Sequence, residues 1–340
     1  MRFRILHHQR LAYLGQLSIE RLFCEIRRFL PGKFEVQTAT SPHHSKGLLP
    51  RLANLWFARA QRADIHHIVG DVHYLAFALP SRQLVLSIMD CATLTRVTYW
   101  KRLILRYFWF TGPMKRAAVV TTISQTTKDE LRKWVGALAD RVEVIPCCVR
   151  SDFSAAPQAF SKEAPVALQI GTGWNKNVVR VAESLAGTGC RLEIIGVLSE
   201  AQRAQLKAGG VDFTELGQIS HDAVAEAYRR CDFVIFASLY EGFGLPILEA
   251  QATGRPVITS NRSSMPEVAG EGALFVDPES AVSIRIAVDS LLHDEGLRTS
   301  LIEKGYQNVE RFRPNVIAEM YAAVYQRILQ SSDSYARHSH

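Results

Sequence analysis

The chain alternates short apolar runs with helical patterns, and it does so in two successive series over 340 residues. Strands joined by crossover helices pair in parallel, and a parallel sheet needs helices on both faces. In the first half, strand-like runs fall at 3–6, 34–38, 65–69, 84–89, 119–123 and 142–145, with helical patterns at 18–30, 48–62, 98–110 and 124–136. The first helix shows the logic: Ile19, Leu22, Phe23, Ile26 and Phe29 recur at helical spacing, Ser18 suits the N-cap, and Pro31-Gly32 ends the pattern. The second half repeats the rhythm with strands at 166–170, 192–195, 212–215, 233–237, 257–259 and 273–276. Its helices read at 176–187, 199–208, 221–230, 246–253, 279–292 and 295–311. The expectation is an α/β chain of two doubly wound domains facing a central cleft, with ligands at the carboxyl ends of the strands. An Ala-, Pro- and Ser-rich stretch at 154–165 places the join, giving domains at 1–155 and 156–314. A last amphipathic helix at 315–330 is expected to return towards the first domain, and 331–340 to form a frayed tail.

Charge separates the halves. Residues 1–155 hold 23 Lys and Arg against 11 Asp and Glu, whereas residues 156–340 hold 17 against 22, so the two domains face different partners. No apolar run approaches the ~18 residues needed to cross a bilayer, and the start Met1-Arg2-Phe3-Arg4 lacks the apolar core of a signal peptide. The six Cys (24, 91, 147, 148, 190 and 231) form no Cys-x-x-Cys pair. They read as free thiols in a reducing cytoplasm, not as a zinc site.

The chemistry concentrates in Ser238-Leu239-Tyr240-Glu241-Gly242-Phe243-Gly244-Leu245-Pro246-Ile247-Leu248-Glu249-Ala250. Here a strand ends in a loop with two glycines, and Pro246 fits the first turn of a helix. The amides of Phe243, Gly244 and Leu245 then point outward at the positive end of that helix, a geometry suited to an anion or a set of hydroxyls. Glu241 at the strand tip and Glu249 in the helix can face one cavity. An isolated Glu in such a place is commonly no more than a partner of the helix dipole.

The run from Glu241 through Glu249 resembles the Glu-x7-Glu signature of family 4 glycosyltransferases, retaining enzymes with the GT-B fold of two Rossmann-like domains. The likeness continues through Gly254-Arg255-Pro256-Val257-Ile258, Ser263-Ser264-Met265-Pro266-Glu267-Val268-Ala269-Gly270 and Leu274-Phe275-Val276-Asp277-Pro278. It is traceable upstream in Ile123-Ser124-Gln125-Thr126-Thr127-Lys128 and Val142-Glu143-Val144-Ile145-Pro146. The resemblance implies a nucleotide-sugar donor and a glycan or lipid-linked acceptor. It also implies roles: Glu241 holds hydroxyls of the donor sugar, Glu249 accepts hydrogen bonds from the ribose, and the backbone of Gly242, Phe243, Gly244 and Leu245 touches sugar and phosphate. Lys176, in Gly171-Thr172-Gly173-Trp174-Asn175-Lys176-Asn177, corresponds to the cation that neutralises the departing diphosphate. Gly171, Thr172, Gly173, Ile219 and Gly15 complete the implied donor-binding set, and Asp90 the catalytic one.

Three features depart from the family pattern. The usual Arg before the Lys is missing, so the diphosphate clamp is expected to draw on the first domain near Gly15. Met89 replaces the usual His before Asp90, and His73 stands in as a sugar or acceptor contact. Cys147-Cys148 replace the usual Asn-Gly after Pro146.

No Asp-x-Asp occurs, so a metal-free mechanism with no cofactor is expected. Gly171-Thr172-Gly173 looks like a dinucleotide loop, but Lys176 stands where the third Gly belongs, which disfavours a dehydrogenase. A nucleotide-sugar epimerase and a non-catalytic nucleotide-sugar binder remain as alternatives on the same scaffold. The basic, aromatic run Tyr99 to Phe110 fits either a helix lying on anionic lipid or a core-packed helix whose cations reach solvent. The first reading puts the protein on the inner membrane face. No nucleic-acid recognition motif is present.

Overall fold

The computed structural model describes residues 2–12, 18–91, 94 and 98–338, with side chains described through Ser331. The chain divides into two compact units, Met1–Cys148 with Pro314–His340, and Val149–Arg313. Each holds one six-stranded, all-parallel sheet.

In the first unit the strands are β1 (Phe3–Gln9), β2 (Phe34–Thr40), β3 (Ile65–Ile68), β4 (Leu84–Ile88), β5 (Val119–Thr122) and β6 (Val142–Val144), in spatial order β2-β1-β3-β4-β5-β6. The order reverses direction after β2. Right-handed crossovers therefore send the helix Ser18–Phe29 to one sheet face and the later segments to the other. The later segments bury Ala58, Tyr74, Trp109, Phe110, Met114 and Leu131 against Ile68, Leu86 and Val120. The expected helix at 98–110 is broken into Tyr99–Leu105, a π-helical stretch Arg106–Thr111 and a short helix Gly112–Arg116.

The helix Pro314–His338 packs beside Ser18–Phe29 within this unit. It runs past the expected end at 330 because no Gly or Pro interrupts 315–338, and each added residue closes one more backbone hydrogen bond. A buried polar relay ties it to the sheet. Arg27, which can only donate, lies 3.4 Å from His7 Nδ1. This sets His7 Nε2 to donate to the Tyr325 hydroxyl at 3.0 Å, and Tyr325 to donate to His67 Nδ1 at 2.7 Å. His67 Nε2 then donates to Ser87 Oγ at 2.8 Å, and Ser87 to Thr121 Oγ1 at 2.7 Å. Next to it, His8 and His66 share a hydrogen bond of 2.9 Å.

The second unit has strands β7 (Val166–Ile170), β8 (Arg191–Ile195), β9 (Phe213–Gly217), β10 (Phe233–Phe236), β11 (Val257–Ser260) and β12 (Leu274–Val276), in order β12-β11-β10-β7-β8-β9. The central strands β7 and β10 are neighbours, which puts their carboxyl-end loops side by side. The division between units falls at 148/149, earlier than the expected join. The stretch 154–165 is part of the second unit because its polar groups are satisfied there. Ser161 donates its amide to Asp232, Arg255 donates to the Ala156 carbonyl, and Phe160 stacks on Phe233.

Burial pushes His8 and His67 down to about 3, His66 to about 4, and His7 well below its ordinary value. The unfolded chain therefore binds more protons than the folded one below about pH 6.5, and stability falls as pH drops through that window. Denaturant midpoints measured from about pH 7.5 down to about pH 5 should decline steeply, approaching one extra proton per buried imidazole. A flat profile over that range would show that the imidazoles are not held neutral.

Candidate active site

The site of the second unit is built on the carboxyl ends of β7 and β10. After β7 the chain turns through Gly171 at φ +86°, a conformation that L side chains rarely adopt. A Cβ at this position would lie 3.1 Å from Cγ and Cε of Lys176, so glycine leaves the room in which the lysine side chain runs. Lys176 ends a 3-10 turn, Trp174–Lys176, just before the helix Val178–Leu185, whereas the sequence pattern places it inside the helix. The reason is Asn177. It adopts the left-handed conformation at φ 58° while its amide group donates to the carbonyls of Ala237 and Pro278 at 3.0 and 2.6 Å.

The loop after β10 carries Glu241. The two loops are joined by the Leu239 amide donating to the Asn175 carbonyl at 2.8 Å and by Asn175 Nδ2 donating to the Tyr240 carbonyl at 3.0 Å. From the far side Ser263 and Ser264 donate to the Glu241 carbonyl, and Ser264 also to that of Phe243 at 2.6 Å. The result is an ion pair: Lys176 Nζ lies 2.7 Å from Glu241 Oε1, with Asn175 Nδ2 at 3.2 Å from the same oxygen. Lys176 Nζ also sits 4.6 Å from the centre of the Phe236 ring, a cation–π contact.

The helix Leu245–Thr253 starts beside this pair. Its N-cap is Gly244 at φ 115°, with no side-chain cap hydrogen bond and with Pro in the first turn, so among the described residues its first amides and positive dipole end are left without a side-chain cap. Glu249 lies farther along this helix and accepts the Tyr228 hydroxyl at 2.8 Å. Burial raises the Glu249 carboxyl above its ordinary value, while the Tyr228 hydrogen bond and the charges of Arg150 and Lys176 oppose the rise. Glu241, Lys176 and Glu249 are thus brought to one edge of one sheet. Such an edge offers a cation, two acceptor carboxylates and an uncapped helix start to a ligand carrying both phosphate and hydroxyl groups.

Comparison with known proteins decides what this edge belongs to. The family model "Glycosyl transferases group 1" matches residues 151–308, and "Glycosyltransferase Family 4" matches residues 22–153. The chain belongs to glycosyltransferase family 4. It is 25% identical over 284 residues to the O-antigen chain mannosyltransferase B of Escherichia coli, covering 76% of this chain and 72% of that one. It is 30% identical over 196 residues to the O-antigen chain mannosyltransferase RfbU of Salmonella typhimurium, spanning 54% of each. The fold matches sucrose-phosphate synthase from Thermosynechococcus elongatus with a TM-score of 0.78 at 18% identity, covering 97% of this chain and 100% of that one. It also matches Anabaena HepE in complex with UDP and glucose, with a TM-score of 0.77 at 16% identity over 96% and 100% of the two chains. These neighbours give this glycosyltransferase the GT-B fold.

The remaining expected site residues fall in several places. Gly242 and Phe243 lie in the loop leading to Gly244 and Leu245. Thr172 turns its hydroxyl away to the Val197 carbonyl at 2.7 Å, and Gly173 is exposed beside it. Ile219, half-buried, sits in the loop after β9 on the same carboxyl edge. Gly15 lies outside the described residues. Asp90 and His73 belong to the first unit, where they line a cavity of about 100 Å³ with Arg10, Asp71, Met89 and Phe110. His73 Nδ1 donates to the Trp109 carbonyl at 2.8 Å, which leaves Nε2 as the acceptor nitrogen. Burial lowers this imidazole, against the opposing charges of Asp71 and Asp90.

Tyr228, Ser263, Ser264 and Phe236 were not singled out as site residues from sequence. The Glu-x7-Glu spacing marks the two carboxylates but not the groups that hold them, which come from a neighbouring helix, a neighbouring loop and the strand core. Asn175 was legible only as a polar residue beside Lys176.

Gly171→Ala should lose about 1 kcal/mol or more from the left-handed backbone. It should also weaken nucleoside-diphosphate binding, read by titration calorimetry, because Lys176 is displaced. Unchanged affinity would show that the lysine does not need this glycine.

Proposed function

We propose that the chain is a retaining glycosyltransferase that moves a hexose, with mannose and glucose the leading candidates, from a nucleoside-diphosphate sugar to a glycan or lipid-linked acceptor without a metal ion. The observation that carries this reading is the half-buried Lys176–Glu241 pair at the mouth of an uncapped helix. In the free protein the two charges satisfy each other. A bound donor divides them: Lys176 and the first amides of Leu245–Thr253 take the diphosphate, and Glu241 takes hydroxyls of the sugar. Glu249, oriented by Tyr228, accepts the ribose hydroxyls.

As the bond from the anomeric carbon to the phosphate oxygen breaks, negative charge grows on the diphosphate, where Lys176 and the helix start stabilise it most. The acceptor oxygen attacks from the same face and passes its proton to the departing phosphate oxygen. Stereochemistry is then retained with no protein nucleophile, and Glu241 orients the sugar. Asp90 and His73 are the acceptor-side groups of the first unit. The names of the O-antigen relatives support a mannosyl donor and a role in polysaccharide biosynthesis. No described helix is long and apolar enough to cross a membrane. We place the protein in the cytoplasm, with the Tyr99 to Phe110 run touching the anionic inner face of the membrane.

The test is to incubate the protein with a panel of nucleotide sugars and undecaprenyl-linked or oligosaccharide acceptors, and to determine the anomeric configuration of the product by NMR. A retained configuration with nucleoside diphosphate released supports the reading. Isomerised donor without release indicates an epimerase, and binding without reaction a non-catalytic binder. Lys176→Ala should lower kcat roughly a hundredfold to a thousandfold while leaving the fold intact by circular dichroism. Full activity in that variant would remove the lysine from the mechanism.

A further inference from the structure

One outer surface of the first unit is unlike the rest of the molecule. The helix Leu48–Ala60 buries Asn54 and Ala58 on its inner side. Its other face turns Leu48, Leu49, Leu52 and Trp56 outward, with Leu49 77% and Trp56 76% exposed. These four recur at helical spacing and form one stripe. A second segment does the same. Tyr99, Trp100 and Ile104 of the helix Tyr99–Leu105 are exposed, as are Tyr107 and Phe108 of the π-helical stretch that follows. The wider π turn splits this aromatic run: Trp109 and Phe110 point into the core while Tyr107 and Phe108 point out.

The two segments are fastened together. The Arg51 guanidinium lies 4.8 Å from the centre of the Trp109 ring, and Asn54 Nδ2 donates to the Tyr74 hydroxyl at 2.9 Å. Tyr74 in turn packs on Trp109 at 5.1 Å between ring centroids. Charge then selects the partner. Residues 36–63 contain no Asp or Glu and four Lys or Arg, and residues 91–128 contain no Asp or Glu and seven Lys or Arg. Exposed leucines and tryptophans interleaved with cations, with no carboxylate in either run and Asp71 at their junction tied to Trp109 Nε1 at 2.7 Å, match a surface that is apolar beneath and negatively charged on top.

We infer that Leu48–Ala60 and Tyr99–Leu105, with Tyr107 and Phe108, form one docking face for an anionic lipid bilayer. Leu49, Leu52, Trp56 and Trp100 enter the acyl boundary, and Lys101, Arg59 and Arg106 remain among the lipid phosphates. The inference rests on the proposed membrane contact only for the second segment. The first segment is an independent half of the face, and it sets how the sheet is oriented on the lipid.

The full chain would be floated with vesicles of phosphatidylcholine alone and with vesicles in which a third of that lipid is replaced by phosphatidylglycerol. Two double variants are compared, Leu52→Ser with Trp56→Ser, and Trp100→Ser with Tyr107→Ser. The expected result is binding to the anionic vesicles, weakened about tenfold or more by each pair, with Trp fluorescence of the wild type quenched by brominated lipid. Nucleoside-diphosphate binding by calorimetry should be the same in both variants, since none of the four substituted residues belongs to the proposed donor site. Binding that depends only on Trp100 and Tyr107 overturns the two-segment face while leaving membrane contact standing. Failure to bind anionic vesicles overturns both. A lipid-free dimer abolished by the same substitutions would assign the face to a second copy of the chain instead. Loss of nucleotide binding in the wild type would count against the proposed donor site alone.

Discussion

The candidate site depends on one ion pair between two adjacent loops. Lys176 and Glu241 are 65 residues apart in sequence, yet β7 and β10 are neighbours in the sheet, so their carboxyl-end loops meet. A half-buried pair of this kind adds little net stability, because what the charges gain from each other is offset by lost hydration and side-chain entropy. Its significance is positional. Gly171, Asn177, Asn175, Ser263 and Ser264 hold the two groups where a phosphate and a sugar would each find an opposite or complementary partner.

The same edge contains a second tension. The helix Leu245–Thr253 begins without a side-chain cap hydrogen bond, which leaves its first amides open to a ligand. Glu249, held by Tyr228 and raised by burial, is an acceptor kept in a costly place. An uncapped helix start and a carboxylate raised by burial cost stability in a free protein, and the half-buried ion pair beside them returns little. The proposed donor, in which phosphates lie next to hydroxyls, would offer each of the three a partner. The first unit shows a comparable division of labour between its sheet faces: an internal relay from Arg27 to Thr121 secures the last helix on one side, and apolar, cationic segments lie on the other.

Much of this was legible in the sequence, for physical reasons. Central strands such as β4 and β10, buried on both faces, read as continuous apolar runs, and amphipathic helices read at 3.6 spacing. The strands and most helices among the described residues were thus placed from sequence, the half-exposed β2 and β9 with the help of the alternating rhythm. Glu241, Glu249 and Lys176 were marked by the resemblance of the Glu-x7-Glu run and of the Gly171–Asn177 loop to the family pattern, not by periodicity. What escaped was set by tertiary contact. The 154–165 stretch looks like a linker by composition, but Asp232, Arg255 and Phe233 hold it on the second unit. The hydroxyl of Thr172 is drawn to Val197 by the neighbouring β8 loop, a contact that no local pattern encodes. The π turn at Arg106–Thr111 and the role of Tyr228 likewise arise only when distant segments pack.

The account stands most directly on where a diphosphate binds. A crystal structure with a non-transferable nucleotide sugar should show the phosphates within hydrogen-bond reach of Lys176 Nζ and the first amides of Leu245–Thr253, the sugar hydroxyls on Glu241, and the direct Lys176–Glu241 contact broken. A donor bound away from that edge, with the ion pair intact at its present distance, would contradict the account.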